Sequence, residues 1–199
     1  MRTGIEEIEI RRSIRQFEGK PIPREVIEKI LDAGRFAPSM QNSQPWRYVI
    51  LQNESKRIFA QKMKEGIIRE ESGLAKLPES AQYTADAHET AKIIQEAPVL
   101  ICVFRLCKSD IFSPVSGDAR VAEICNVLSI GASIENILLQ ATCLGVGSLW
   151  IGNTCFAYKE LVDYLHSEDQ LLCAIALGYS AESPPPRPRK SLAQIVSFM

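Results

Sequence analysis

Histidine is scarce in this sequence. His88 and His166 are the only two in 199 residues, and neither lies in a tight group of cysteines and carboxylates, so little supports a metal site or a histidine acid–base mechanism. None of the six cysteines, at 102, 107, 125, 143, 155 and 173, forms a Cys-x-x-Cys pair, which excludes a thioredoxin-like redox motif and an appended ferredoxin-like cluster. They lie mostly in apolar runs such as Val99-Leu100-Ile101-Cys102-Val103, where a reduced thiol behaves as a small hydrophobe, and they are expected to be core residues. Charge of one sign is not in excess either. With 23 basic and 24 acidic side chains the net charge is -1, which gives no global attraction to nucleic acid or to anionic membrane. No P-loop, no Gly-x-Gly-x-x-Gly following a strand and no internal repeat is found. Met1-Arg2-Thr3-Gly4-Ile5 lacks an apolar signal core, and no apolar run reads as long enough for a membrane span, so the expected location is the cytoplasm.

What is present is an ordinary globular composition, 46% hydrophobic over 199 residues, enough for one core and one domain spanning 1–199. Against the near-neutral background Arg11-Arg12-Ser13-Ile14-Arg15 stands out. Three guanidinium groups within five residues repel one another, and the fork of donors each presents matches a phosphate, to which Ser13 adds a neutral donor. The alternative is a solvated basic turn neutralised by Glu6, Glu7 and Glu9. Any anion site in so balanced a chain is local.

Thr3-Gly4-Ile5-Glu6 has the form of a capping box leading into a short helix that ends at the arginines. Pro23 starts a second helix, its apolar positions Val26, Ile27, Ile30, Leu31 and Ala33 at helical spacing, and Pro38 stops it near Phe36-Ala37. Pro38 to Trp46 is a polar loop, whose hydroxyls and amides either cap their own backbone or read the edges of a ligand. A strand over 46–51, a helix over 54–63, a buried strand over 98–104 and a long helix over 118–144 follow. That long helix is apolar around much of its circumference and is expected to be buried on more than one face, shared between two subunits, with Gly131, Ala132 and Ser133 allowing close approach. Residues 64–92 are poorly patterned, either a lid or ordinary surface helices. Gly147 to Asn153 reads as a strand running into a Gly-Asn turn, 158–166 as a helix and 171–179 as a buried strand. Ser183-Pro184-Pro185-Pro186-Arg187-Pro188-Arg189-Lys190 opens an extended basic C-terminal extension, 184–199, that closes on an amphipathic tail.

Four of these pieces in order, Arg11 to Arg15, Ala37 to Trp46, Gly145 to Gly152 and the late basic segment, resemble the FMN-dependent nitroreductase family from about residue 7 to 195. The resemblance implies an α+β fold, a central, largely antiparallel sheet wrapped by helices, in an intertwined homodimer with two FMN molecules at its interface. It implies that Arg11 and Ser13 contact the FMN phosphate, Arg12 the ribityl chain or ring, and Arg15 the pyrimidine edge. Arg187 and Arg189, with Lys190 competing, correspond to late basic phosphate ligands. Pro38, Ser39, Met40 and Asn42 would border the flavin from the partner subunit, and Gly152, after Trp150 and Ile151, would present a backbone N–H to flavin N5.

No catalytic side chain is then needed, since the flavin performs the bond chemistry, and a fixed cation such as Arg15 favours the reduced, negatively charged ring. The expected function is an oxidoreductase that takes hydride from NADH or NADPH and reduces a nitroaromatic, quinone or similar small acceptor by a ping-pong mechanism. The alternative is a non-catalytic FMN-binding carrier or sensor. Nucleic acid and membrane are not expected partners.

Overall fold

A computed structural model of the chain describes residues 5–199. The capping box expected at Thr3 lies outside the described residues, and the first helix, α1 (Glu6–Ile10), has Ile5 at its N-cap with no side-chain cap. Then follow α2 (Arg24–Arg35), a 3-10 turn at Met40–Asn42, β1 (Trp46–Gln52), α3 (Asn53–Glu71), a 3-10 turn at Pro78–Tyr83, and α4 (Thr84–Glu96). The second half holds β2 (Val99–Arg105), α5 (Gly117–Cys143), β3 (Gly147–Ile151), a 3-10 turn at Asn153–Ala157, α6 (Tyr158–Tyr164) and β4 (Gln170–Gly178).

The four strands form one sheet in the order β1-β2-β4-β3, and every pairing is antiparallel. Side chains alternate across a strand, so the two central strands feed two cores. Leu100, Cys102 and Phe104 of β2 join Phe59, Met63, Ile67, Ile94 and Leu161 beneath α3, α4 and α6. Val99, Ile101 and Val103 join Ile27, Ile30, Ile130, Ile134 and Ile137 beneath α2 and α5. Burial on both faces explains why β2 is an unbroken apolar run. Each fully buried Ile, Leu or Phe contributes about 1.5–3 kcal/mol. The fold is thus α+β, with helices on both faces of an antiparallel sheet.

Several boundaries differ from the sequence expectation. α3 runs on to Glu71 instead of ending at 63, because Gly66 is a packing residue and not a stop: a Cβ there would meet the Ala157 Cβ at 2.3 Å and Cα at 2.4 Å. Residues 64–92 are accordingly the end of α3, the 3-10 turn and the start of α4, with Ile67, Ala87 and Ala91 in the core. Of the cysteines, all free, 102 and 173 are buried, while 107, 125 and 155 are part-buried and 143 is exposed. They sit at helix and loop positions where an apolar neighbourhood in sequence faces outward in space.

α5 also departs from expectation. Its second half is buried, from Ser129 to Ala141, but Val121, Ile124 and Leu128 of its first half form an exposed stripe. Gly131 meets no neighbour. The close approach is at Gly34 of α2, where a Cβ would lie 2.8 Å from the Ile137 side chain. There the Ser133 hydroxyl donates to the Gly34 carbonyl at 2.7 Å and also meets the Tyr48 hydroxyl, tying α5 to α2 and β1. Among the described residues α5 is the one helix long and apolar enough to cross a membrane by length and composition, a test that a core helix also passes, because its charged residues crowd into the first turns at Asp118, Arg120 and Glu123 and leave one, Glu135, beyond them.

Candidate functional site

β3 would be an open edge were it not covered by the arginine segment. Ser13 pairs with Ser148, the Ile14 N–H donating to the Ser148 carbonyl at 2.9 Å. Phe17 then pairs with Ser180 beyond the end of β4: the Glu18 N–H donates to the Tyr179 carbonyl at 2.8 Å and the Ala181 N–H to the Gln16 carbonyl at 3.0 Å. Residues 11–18 therefore run from one sheet edge to the root of the C-terminal extension. This pairing protects the edge and simultaneously brings residues about 170 apart in sequence side by side.

The consequence is a cavity of about 740 Å³ lined by Arg11, Arg12, Ser13 and Arg15 from one segment and by Pro184 to Arg189 from the other, with Ile8 and Glu9 of α1 closing it. Five guanidinium groups, those of Arg11, Arg12, Arg15, Arg187 and Arg189, border one space. Most make only local contacts with the chain. Arg12 donates to the Glu9 carbonyl at 2.6 Å and the Arg11 carbonyl at 2.9 Å, Arg15 to the Ser13 carbonyl at 3.2 Å, and Arg189 to the Arg187 carbonyl at 3.2 Å. Arg11 Nε lies 3.6 Å from Glu135 Oε1 of α5. It is buried without a hydrogen bond, as is the Ser148 hydroxyl. Buried donors without partners are costly, by about 1–3 kcal/mol each.

The other sequence-predicted residues are not all in this cavity. Trp150, Ile151 and Gly152 continue β3 onward from Ser148. Ile151 is buried in the core, whereas Trp150 is 47% exposed. It lies against Cys173, whose thiol burial pushes up to about 12 against the opposing Trp150 hydrogen bond. A Cβ at Gly152 would meet nothing within 4 Å, so the backbone there borders open space. Pro38, Ser39, Met40 and Asn42 lie elsewhere in the chain: the Met40 N–H donates to the Ser129 hydroxyl of α5 at 3.3 Å, and the Gln44 N–H to the Ser39 hydroxyl at 3.0 Å. Gln41, Asn42 and Gln44 have positive φ, of 52°, 56° and 46°, a conformation that asparagine tolerates better than most residues and that is unusual for glutamine. Within one chain this loop is not part of the arginine cavity.

Two residues went unnoticed in the sequence. Glu182 accepts from the Arg15 N–H at 2.5 Å and from the Gln16 N–H at 3.2 Å, and Glu135 faces Arg11. Glu135 is a single carboxylate on the long apolar helix and Glu182 one in an unpatterned stretch, and only their spatial neighbours distinguish them.

A sequence model of the family described as "Nitroreductase family" matches residues 8–179. A protein of Methanothermobacter thermautotrophicus, named for NADH dehydrogenase/NAD(P)H nitroreductase, is 29% identical over 186 residues, covering 90% of this chain and 78% of its own length. An iodotyrosine dehalogenase 1 homologue of Caenorhabditis elegans is 26% identical, over 89% of this chain and 54% of its own; the chain thus spans little more than half of that relative. A solved structure from Desulfovibrio desulfuricans, described as a nitroreductase in complex with FMN, is 24% identical and aligns over 98% of this chain and 95% of its own with a TM-score of 0.70.

Proposed function

This chain belongs to the nitroreductase family, and from that premise we propose that it is an FMN-dependent oxidoreductase that accepts hydride from NADH or NADPH and passes reducing equivalents to a small acceptor such as a nitroaromatic or quinone. The observation that carries this reading is the meeting of Arg11 to Arg15 with Arg187 and Arg189 around one cavity in a chain of net charge -1. So many guanidinium groups concentrated in a balanced protein call for an anion of more than one charge, and a phosphate monoester is the matching ligand.

The residues present fit a mononucleotide. Arg11 has a buried Nε still without a hydrogen bond, a mark of a donor awaiting an acceptor. Arg11, Ser13, Arg187 and Arg189 would hold the phosphate, Arg12 the ribityl region, and Arg15 would supply positive charge toward the ring. Gly152 leaves its backbone open to a planar group beside Trp150. FMN, when bound, supplies the hydride chemistry. The side chains anchor, orient and shield; no side-chain proton donor is required of them.

The same reading takes the protein as a homodimer. Val121, Ile124 and Leu128 form an exposed apolar stripe on α5, and the loop of Pro38, Ser39, Met40 and Asn42, seated on α5 through Met40 and Ser129, would border the partner's flavin. Its similarity to an NAD(P)H nitroreductase supports the nicotinamide donor. The test is direct. Purified protein should bind FMN with quenching of flavin fluorescence, oxidise NADH or NADPH in stopped flow, and be reoxidised by a nitroaromatic or quinone but, for a dehalogenase, by an iodophenol instead. Failure to bind FMN sinks the reading; binding without reduction by either nicotinamide leaves the carrier or sensor.

A further inference from the structure

Among the described residues the side-chain hydrogen bonds of the 184–190 arm run only within it, from Arg189 to the Arg187 and Pro188 carbonyls, and its four prolines have no N–H to donate. The arm nevertheless brings two guanidinium groups toward three others across the cavity, an arrangement that like-charge repulsion opposes. Something at its root must set its direction.

Resting on the FMN reading, we propose that Glu182 is the positioning residue of the phosphate site. Its Oε1 takes hydrogen bonds from the backbone N–H groups of both Arg15, at 2.5 Å, and Gln16, at 3.2 Å. Its own N–H donates to the Ser180 hydroxyl at 3.2 Å, and the Ser180 hydroxyl donates to the Glu182 carbonyl at 2.5 Å. The carboxylate thereby bolts the start of the arm to the backbone of the arginine cluster, two residues before Pro184. Because it binds peptide groups and not guanidinium groups, it aligns the two basic segments without neutralising either by contact.

This assignment has a sign that electrostatics alone would reverse. A carboxylate near a phosphate site repels the phosphate, so its removal should tighten FMN binding if charge were all that mattered. If Glu182 acts by position, Glu182→Ala weakens FMN binding despite the gain in positive charge. Glu182→Gln, which keeps an acceptor oxygen and loses the charge, binds at least as tightly as the wild type.

The experiment titrates full-length wild type, Glu182→Ala and Glu182→Gln with FMN and with riboflavin, which lacks the phosphate, following flavin fluorescence. The expected result is a loss of roughly three- to tenfold in FMN affinity for Glu182→Ala, the scale of one or two net hydrogen bonds, with a smaller loss for riboflavin, which keeps only the ring that Arg15 faces, and Glu182→Gln close to wild type or tighter. Unchanged or tighter FMN binding by Glu182→Ala overturns the proposal, as does an equal loss for both flavins, which would mean general damage to the fold. A Glu182→Gln protein as weak as Glu182→Ala also overturns it, since the acceptor oxygen would then not be what matters. A wild type that binds neither flavin overturns the underlying FMN reading, an outcome distinct from failure of the variants alone.

Discussion

Arg11 carries two marks of a side chain awaiting a ligand: a buried Nε without a hydrogen bond, and a carboxylate neighbour, Glu135, too far for one at 3.6 Å. Arg11→Ala is expected to weaken FMN binding by about ten- to a hundredfold, the scale of one charge-assisted bond, with the denaturant midpoint of the flavin-free protein little changed. Equilibrium titration beside urea unfolding checks both. Glu70 makes a prediction about pH. Burial would push its carboxyl up, but the Lys76 and Leu77 N–H groups and Arg69 outweigh that and hold it below the ordinary carboxyl range. A depressed folded-state pKa stabilises the protein at pH above the unfolded value of about 4.5, and that stability is lost as pH falls through the lower folded value. Glu70→Gln should therefore be less stable than wild type at pH 7, by about 1–2 kcal/mol, because the charge is lost and an amide NH2 replaces one of the two oxygens that accept from Lys76, Leu77 and Arg69, and the gap should close toward pH 3. Urea midpoints across that range measure it.

At the scale of elements, α3 depends on the absence of a side chain at Gly66, where any Cβ would overlap the Ala157 backbone. Gly66→Ala, which would favour an isolated helix, should instead destabilise the protein by about 1–3 kcal/mol in urea unfolding. The exposed stripe of α5 makes the complementary case, in which the surface is incomplete and not crowded. Leu128→Glu should convert the proposed homodimer to monomer in light scattering while leaving the helical circular dichroism intact; an unchanged mass would show that this stripe is not the interface. Periodicity made α2 and α5 readable in the sequence, and continuous apolar runs did the same for β2 and β4. The end of α3 was not readable, since a glycine that breaks an isolated helix is required where another backbone presses against it. The buried and exposed halves of α5 were equally hidden, because its apolar residues look alike whichever surface they meet.

Over the whole molecule, the proposed site joins the two ends of the chain, so ligand binding should be felt as global stability. FMN at a hundredfold above its dissociation constant should stabilise the protein by about 2.7 kcal/mol and raise its melting temperature by roughly 5–10 °C. Riboflavin at the same concentration should do much less, and differential scanning fluorimetry distinguishes them. The arginine cluster and the order of the main elements were legible in the sequence itself, because they depend on residue type and local spacing, and the α+β class followed from the family resemblance that those motifs carry. Tertiary structure alone decided that Arg15 and Glu182 are neighbours, that the Pro38 to Asn42 loop lies outside its own chain's arginine cavity, and which faces of α5 are buried. The first depends on the pairing of Ser13 with Ser148 and of Phe17 with Ser180, made through backbone groups that every residue carries, and the other two on how α5 packs against α2, the sheet and the Met40 loop, so none leaves a signature in side-chain pattern.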